Sequence, residues 1–327
     1  MNQESVSSIG VVAPALSDGV LNVSKPSGWT SHDVVDQIRR TLGLRKVGHA
    51  GTLDPLATGV LPVLLGKGTR VSEYLVEWEK EYEAILRLGQ DTDTQDATGV
   101  VIREQPVKGI TDQAVRDVAA QFLGTQEQVP PMYSALKVEG RPLYKMARTG
   151  KTVHRASRSI TIFRLEVLKT EIPDVSIRVV CSKGTYIRTL GADLGKALGV
   201  GGHVRQLCRT RVGPFHIQDA ISPREIDSER WLREHHQKVW NLDAVLEHVP
   251  EVVIPSSMVS RALNGAPIPQ SESSHVDQES PGREFSQEIV RVKDPMGQLL
   301  GLGKFAACSS RSAEGEPPLR LVKVFGH

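Results

Sequence analysis

The sequence has little cysteine: only Cys181, Cys208 and Cys308 occur in 327 residues. Their spacing fits neither a C-x-x-C pair nor a zinc finger, and an odd count argues against a disulfide framework. It has no apolar run of the roughly 18 residues that a membrane helix needs. No Lys or Arg falls in the first 18 residues, unlike a secretory signal or transit peptide. A P-loop, a G-x-G-x-x-G after a strand and a Cys/His metal cluster are all missing, and the glycines at 199–202 follow a helical pattern rather than precede one. Net charge is nearly absent too, with 40 basic residues against 38 acidic ones. A cytosolic protein is expected, off the membrane, with no cofactor and no metal. Bulk charge alone gives no sign of nucleic acid.

The chain does carry 39% hydrophobic and 24% charged residues, an ordinary soluble composition with enough material for a core. At roughly 100–200 residues per domain, two domains are expected. Charge is unevenly spread. Met132–Arg164 has eight Lys/Arg against Glu139, and Lys183–Arg211 has six against Asp193. Tyr133, Tyr144 and Tyr186 are interleaved with them. A single charge run is usually a solvated face. Two runs with aromatics fit phosphate binding and base stacking on RNA. Acids gather elsewhere, at Glu73–Glu83 and at Ser271–Glu288.

Residues 1–18 read as a flexible tail. Gly19–Ser24 reads as a strand, followed by a turn at Lys25–Gly28. Thr30 or Ser31 caps a helix with Val34, Val35, Ile38 and Leu42 on one face. Lys46–Gly68 is dense in Gly and Pro and predicts a structured, partly buried loop. Val71–Trp78 predicts a helix, and Glu81–Leu88 a strand with Tyr82, Ala84, Leu86 and Leu88 on one face. Thr111 caps a second helix. Val129–Arg158 reads as a basic excursion from the core. Ile160–Leu168 and Val175–Cys181 predict strands, Thr185–Leu198 a helix, and Ile217–Val249 an acidic helical stretch. Beyond a boundary near Pro250 come three strand-like segments, 288–292, 299–305 and 319–325, around a polar loop at 271–286.

The segment GHAGTLDPLATGVLP, residues 48–62, places one acid, Asp54, among small and apolar residues. On the residues alone, Asp54 suits a turn cap before Pro55. It equally suits a functional carboxylate on a rigid loop, which would need a cationic partner.

This segment strongly resembles the signature of the TruB family of tRNA pseudouridine synthases. SKPSGWTS, KEYEAILRLGQDTDTQDATG, VPPMYSALKVEGRPLYKMARTG and CSKGTYIRTLGADLG resemble further family motifs in the expected order. EIVRVKDPMGQLLGLG and LRLVKVFG resemble its small PUA-like RNA-binding domain less closely, and the acidic insertion departs from that pattern. The resemblance implies an α+β pseudouridine synthase fold, a mixed, mainly antiparallel sheet with flanking helices. The catalytic domain would span 19–249, with an RNA-gripping insertion at about 127–158. A PUA-like β-rich domain would span 250–327.

The activity implied is conversion of the uridine at position 55 of the tRNA T-loop to pseudouridine. Asp54 would be the nucleophile, Tyr82 would stack on the uracil, and Arg188 would pair with Asp54. Tyr186 and Leu207 would line the base pocket. His49 would fill the gap left by the flipped nucleotide, and Lys25 would support the turn or a phosphate. Lys137, Arg141, Lys145 and Arg148 would meet the RNA backbone. A monomer acting without guide RNA is expected.

The chemistry fits these residues. Pseudouridylation breaks N1–C1′, rotates the base and rejoins it through C5, so it consumes no cofactor. An ionised carboxylate can attack C6 of the base or C1′ of the sugar without a general base. Extruding the nucleotide costs a few kcal/mol, of which stacking returns about 1–3 kcal/mol. Blander roles compete: Tyr82 as core, Arg188 paired only with Asp193, His49 as a turn residue. Competing functions are an RNA-folding factor on the same fold, a guide-dependent relative and a nucleoside hydrolase.

Overall fold

The computed structural model describes residues 18–134, 136–138, 140–147, 149, 153–269, 274–275, 289–305 and 318–325. The expected tail, apart from Asp18, lies outside these residues. So do Arg148 and nearly all of the polar loop at 271–286. The chain forms two compact units. The larger takes Leu21–Val63 and Ser72–Trp231, and the smaller takes Asp18–Val20, Leu64–Val71 and the described residues from Leu232 onward.

The early strands, which lie wholly or mostly in the larger unit, are β1 (Gly19–Lys25), β2 (Val47–His49), β3 (Thr58–Leu65), β4 (Lys80–Leu88), β5 (Gln90–Thr92), β6 (Val101–Glu104) and β7 (Gly124–Gln128). The basic segment adds a hairpin, β8 (Lys137–Val138) and β9 (Arg141–Pro142). Then follow β10 (Arg158–Glu171), β11 (Asp174–Cys181), β12 (Gly202–Val212) and β13 (Phe215–His216). The main sheet runs β1-β3-β12-β4-β11-β10-β7, with β2 on β3 and β13 on β12. The β3–β12 pair is parallel, whereas β12–β4, β4–β11, β11–β10 and β10–β7 are antiparallel. The helices are α1 (Ser31–Thr41), α2 (Ser72–Leu75), α3 (Asp112–Ala120), α4 (Leu143–Ala147), α5 (Ile187–Ala197) and α6 (Glu229–Glu234). This is the expected α+β architecture.

Local chemistry explains the elements that hold the site. Thr30 caps α1 in a reciprocal box: Asp33 N–H donates to Thr30 Oγ1 at 3.1 Å, and Thr30 N–H donates to Asp33 Oδ2 at 2.7 Å. Val34, Val35 and Ile38 then face the core. Along β4 buried and half-buried residues alternate strictly, as the sheet period requires. Helix α5 comes close to the sheet because Gly195 lacks a side chain; a Cβ there would sit 2.4 Å from the Gly201 carbonyl carbon.

Three expectations need correction. Lys46–Gly68 is not a loop throughout, because β3 is buried along nearly its whole length. A strand covered on both faces has no polar alternation to reveal it. Val71–Trp78 contains only the single turn of α2, preceded by a 3₁₀ turn at Gly66–Val71. Ile217–Val249 holds short turns of helix rather than one helical stretch: a 3₁₀ turn, α6, another 3₁₀ turn and α7 (Leu242–Val245). Pro223 and the Asn241 cap break its continuity. The central strand β12 had no sequence expectation at all.

The smaller unit contains α7, α8 (Ser256–Leu263) and the strands β14 (Val239–Trp240), β15 (Glu251–Val253), β16 (Ser274–His275), β17 (Ile289–Lys293), β18 (Leu299–Phe305) and β19 (Leu319–Val324). Its sheet order is β16-β15-β17-β18-β19. Val252, Ile254, Ala262, Ile268, Val290, Val292, Leu300, Phe305 and Leu319 form its core. Arg291 and Lys293 are buried there against Asp243 and Glu251, with Asp243 2.7 Å from each cation.

Candidate active site

Asp54 sits on the loop joining β2 and β3, and that loop is fastened from several sides. Leu53 N–H donates to Ser31 Oγ at 2.8 Å, and Ser31 Oγ donates back to Leu53 O at 3.2 Å. Gly28 N–H donates to Pro55 O at 2.8 Å. The Lys25 ammonium, fully buried, donates to Pro26 O at 2.9 Å, Trp29 O at 2.6 Å and Pro55 O at 3.4 Å. Those bonds use all three of its N–H groups. From β12, Arg209 donates to Val60 O at 2.8 Å, Gly51 O at 3.0 Å and Thr52 O at 3.5 Å. Gly59 permits this approach: it holds φ +103°, and a Cβ would fall 2.2 Å from Arg209 O.

The second half of the site is the start of α5. Arg188 is 3% exposed yet fully engaged. Its Nε and Nη2 donate to the two oxygens of Asp54 at 2.8 and 3.0 Å. Nη1 donates to Thr94 O at 2.9 Å, and Nη2 also donates to Tyr133 O at 2.7 Å. Asp96 Oδ2 stands 3.6 Å from Nη1. Asp96 is itself held by Thr94 Oγ1 at 2.7 Å and Thr98 N–H at 2.9 Å. One buried cation thus faces two carboxylates, which fixes their orientation. The Asp54 side chain keeps 34% exposure, so its oxygens are oriented yet reachable. Arg188 pairs here with Asp54 rather than with Asp193.

Asp54 opens on a cleft of about 630 Å³, also lined by Tyr82, Tyr186, Leu207, Lys80, Arg158, Lys183 and Arg209. Tyr82 lies mid-sheet, opposite Arg209 on β12 and Val179 on β11. Burial pushes its phenol up, as it does that of Tyr186. Tyr186 immediately precedes α5, and Gln128 holds its backbone by accepting from Tyr186 N–H at 2.8 Å and donating to Tyr186 O at 3.1 Å.

Of the expected residues, Asp54, Tyr82, Tyr186 and Leu207 share this cleft, and Arg188 holds Asp54 from behind. Lys25 and His49 do not line it. Lys25 braces the loop, with burial bringing its ammonium down to about 8 against the opposing pull of Asp54. His49 on β2 has a buried Nδ1 without a hydrogen-bond partner among the described residues. Burial, then Arg209, lowers its affinity for a proton. In the basic segment Arg141 and Lys145 are exposed. Lys137 has a described backbone only, and Arg148 lies outside the described residues. Sequence reasoning missed Arg209, Asp96 and Lys80. The alternation of β4 already put Lys80 on the face of Tyr82, a signal that was there to be used.

Comparison with known proteins bears on this arrangement. Residues 39–187 match the TruB family pseudouridylate synthase N-terminal domain, and residues 188–253 match the tRNA pseudouridylate synthase B C-terminal domain. The chain is 46% identical over 248 residues to tRNA pseudouridine synthase B of Aromatoleum aromaticum, covering 76% of this chain and 80% of that one. It is 44% identical over 289 residues to tRNA pseudouridine synthase B of Ralstonia pickettii, covering 87% and 89%. Among solved structures, an H/ACA RNP bound to a substrate RNA containing 2′-deoxyuridine matches at TM-score 0.70 and 30% identity, over 95% of this chain and 86% of that one. A Cbf5–Nop10–Gar1 complex matches at TM-score 0.71 and 31% identity, over 94% and 85%. With matched domains running through both the Asp54 loop and the start of α5, this chain belongs to the TruB family of pseudouridylate synthases.

Proposed function

We propose that this protein isomerises uridine to pseudouridine at position 55 in the T-loop of tRNA, with Asp54 as nucleophile. The observation that carries the proposal is the two-bonded Asp54–Arg188 pair at the mouth of a cleft walled by Tyr82. The uridine swings out of the T-loop and enters the cleft, where Tyr82 stacks on it and Tyr186 and Leu207 bound it. Asp54, paired with Arg188 and aimed by it, attacks. The N1–C1′ bond breaks, the base turns, C5 bonds to C1′, and Asp54 is released. The C5 proton leaves and N1 gains one, so atoms and charge balance without a co-reactant. His49 fills the gap that the extruded nucleotide leaves in the RNA.

The segment at about 127–158 grips the RNA through Arg141, Lys145 and their basic neighbours. The β-rich region from about 250 onward acts as a PUA-like RNA-binding domain. Modification without guide RNA is supported by the insertion VPPMYSALKVEGRPLYKMARTG and by relatives named tRNA pseudouridine synthase B. The test is to map pseudouridine in unmodified tRNA incubated with the pure protein, without added metal or guide. Product at position 55 is expected. Bound but unmodified tRNA would instead favour an RNA-folding factor.

A further inference from the structure

Lys80 opens β4, and alternation puts it on the same buried face as Tyr82. It is 6% exposed and lines the cleft beside Asp54 and Tyr82. Its ammonium donates to Val76 O and Trp78 O, each at 2.5 Å. An ammonium carries three N–H groups. The third has no protein partner among the described residues, and none of their carboxylates forms an ion pair with Lys80.

Glu77 is close enough to favour the Lys80 charge, yet its ion pair is with Lys183, and no carboxylate among the described residues pairs with Lys80 itself. Arg209 and Lys183 are cations. Cys181, opposite Lys80 in the β4–β11 register, has its thiol pushed up to about 12 by burial and stays neutral. The Tyr82 phenol is neutral as well. Glu77 is bonded to Lys183 at 2.5 Å, and Glu79 to Arg211 at 2.5 Å. A buried cation held by carbonyls alone, with no ion-pair partner, is costly. It becomes useful where negative charge develops during a reaction. Capping two carbonyls after α2 would account for two of its protons but not for the third, nor for its place in the cleft wall.

We propose that Lys80 is a catalytic residue whose free N–H donates to a carbonyl oxygen of the uracil as the base separates from the sugar. This rests on the pseudouridine synthase reading above. When N1–C1′ breaks, its electron pair stays with the base, and the charge spreads from N1 to O2 and O4. Lys80 holds that anion while the ring turns on Tyr82. The pair is returned when C5 bonds to C1′ and the C5 proton departs. Lys80 keeps its own proton throughout.

The test is single-turnover pseudouridine formation in tRNA by wild type, K80M and K80R from about pH 6.5 to 9.5, with tRNA binding and thermal unfolding measured alongside. Wild-type product establishes the underlying reading; a wild type that makes none overturns that reading and this one together. In K80M the rate should fall by about 100-fold or more, with tRNA affinity within about threefold of wild type. Burial brings the Lys80 ammonium down to about 8. The wild-type rate should therefore decline as pH rises through that value. K80R, whose guanidinium keeps its proton, should show no such decline. A K80M rate within about threefold of wild type, or the same alkaline decline in K80R, would overturn the proposal. Should K80M fail to fold, the pH profile of K80R decides alone.

Discussion

Arg188 and Asp54 meet through two parallel hydrogen bonds, 2.8 and 3.0 Å long, although 134 positions separate them in the chain. The geometry fixes both carboxylate oxygens while leaving one face open to the cleft. Asp54→Asn should therefore abolish pseudouridine formation while tRNA affinity stays within about tenfold, because the amide keeps the shape but not the charge. Tritium release from C5-labelled uridine in tRNA reads this directly. Undiminished release would remove Asp54 as nucleophile.

Arg188→Lys should be far from conservative. A lysine cannot reproduce the planar fork, and Thr94 O and Tyr133 O would lose donors. The rate should drop by about 100-fold or more, through a misaimed nucleophile. A kcat within a few fold of wild type would show that orientation of Asp54 matters little.

Arg209→Met should loosen the catalytic loop from the other side. Val60 O, Gly51 O and Thr52 O would lose their donor; only Val60 is buried, so the cost is on the order of 1–3 kcal/mol. Urea unfolding should move to lower denaturant, and single-turnover rate should fall more than tRNA affinity. Unchanged unfolding would mean that the loop holds itself.

Lys25 gives a dependence on pH. Burial brings its folded-state value to about 8, below the ordinary 10.5. Between those values the unfolded chain binds the proton more strongly, so the lysine's contribution to stability rises with pH from about 8 to 10.5 and is lost as pH falls through 8. Relative to Lys25→Met, the wild type should gain on the order of 2 kcal/mol across that window. Parallel stability–pH curves for the two proteins would refute it.

Replacing Arg141 and Lys145 together with Gln, along with Lys137 and Arg148, should weaken tRNA binding and flatten its salt dependence by about 1 in slope per lost phosphate contact. Binding measured from 50 to 300 mM salt at about neutral pH checks this. An unchanged slope would place the phosphate contacts elsewhere.

Much of the site was legible because its residues sit in contiguous motifs. Asp54 is a lone acid in an apolar, glycine-rich run, and Tyr82 falls on a cleanly alternating strand. The pairing of Arg188 with Asp54 came from family resemblance, since local sequence offered Asp193 equally well. Arg209 was invisible for a different reason. In GGHVRQLCRTRV it is one of three arginines, and only the register with Gly59 and Tyr82 shows which of them turns inward. Strand β3 was hidden by its Gly and Pro and by burial on both faces. The helical stretch expected over 217–249 failed because composition favoured helix while Pro223 and the cap at Asn241 divided it.

Ser31, Lys25 and Arg209 clasp the loop around Asp54 before any RNA arrives. Rearrangement on encounter then falls chiefly to the nucleic acid. Substrates that open their T-loop more readily, through warmth or a weakened tertiary pair, should commit faster on an otherwise unchanged protein.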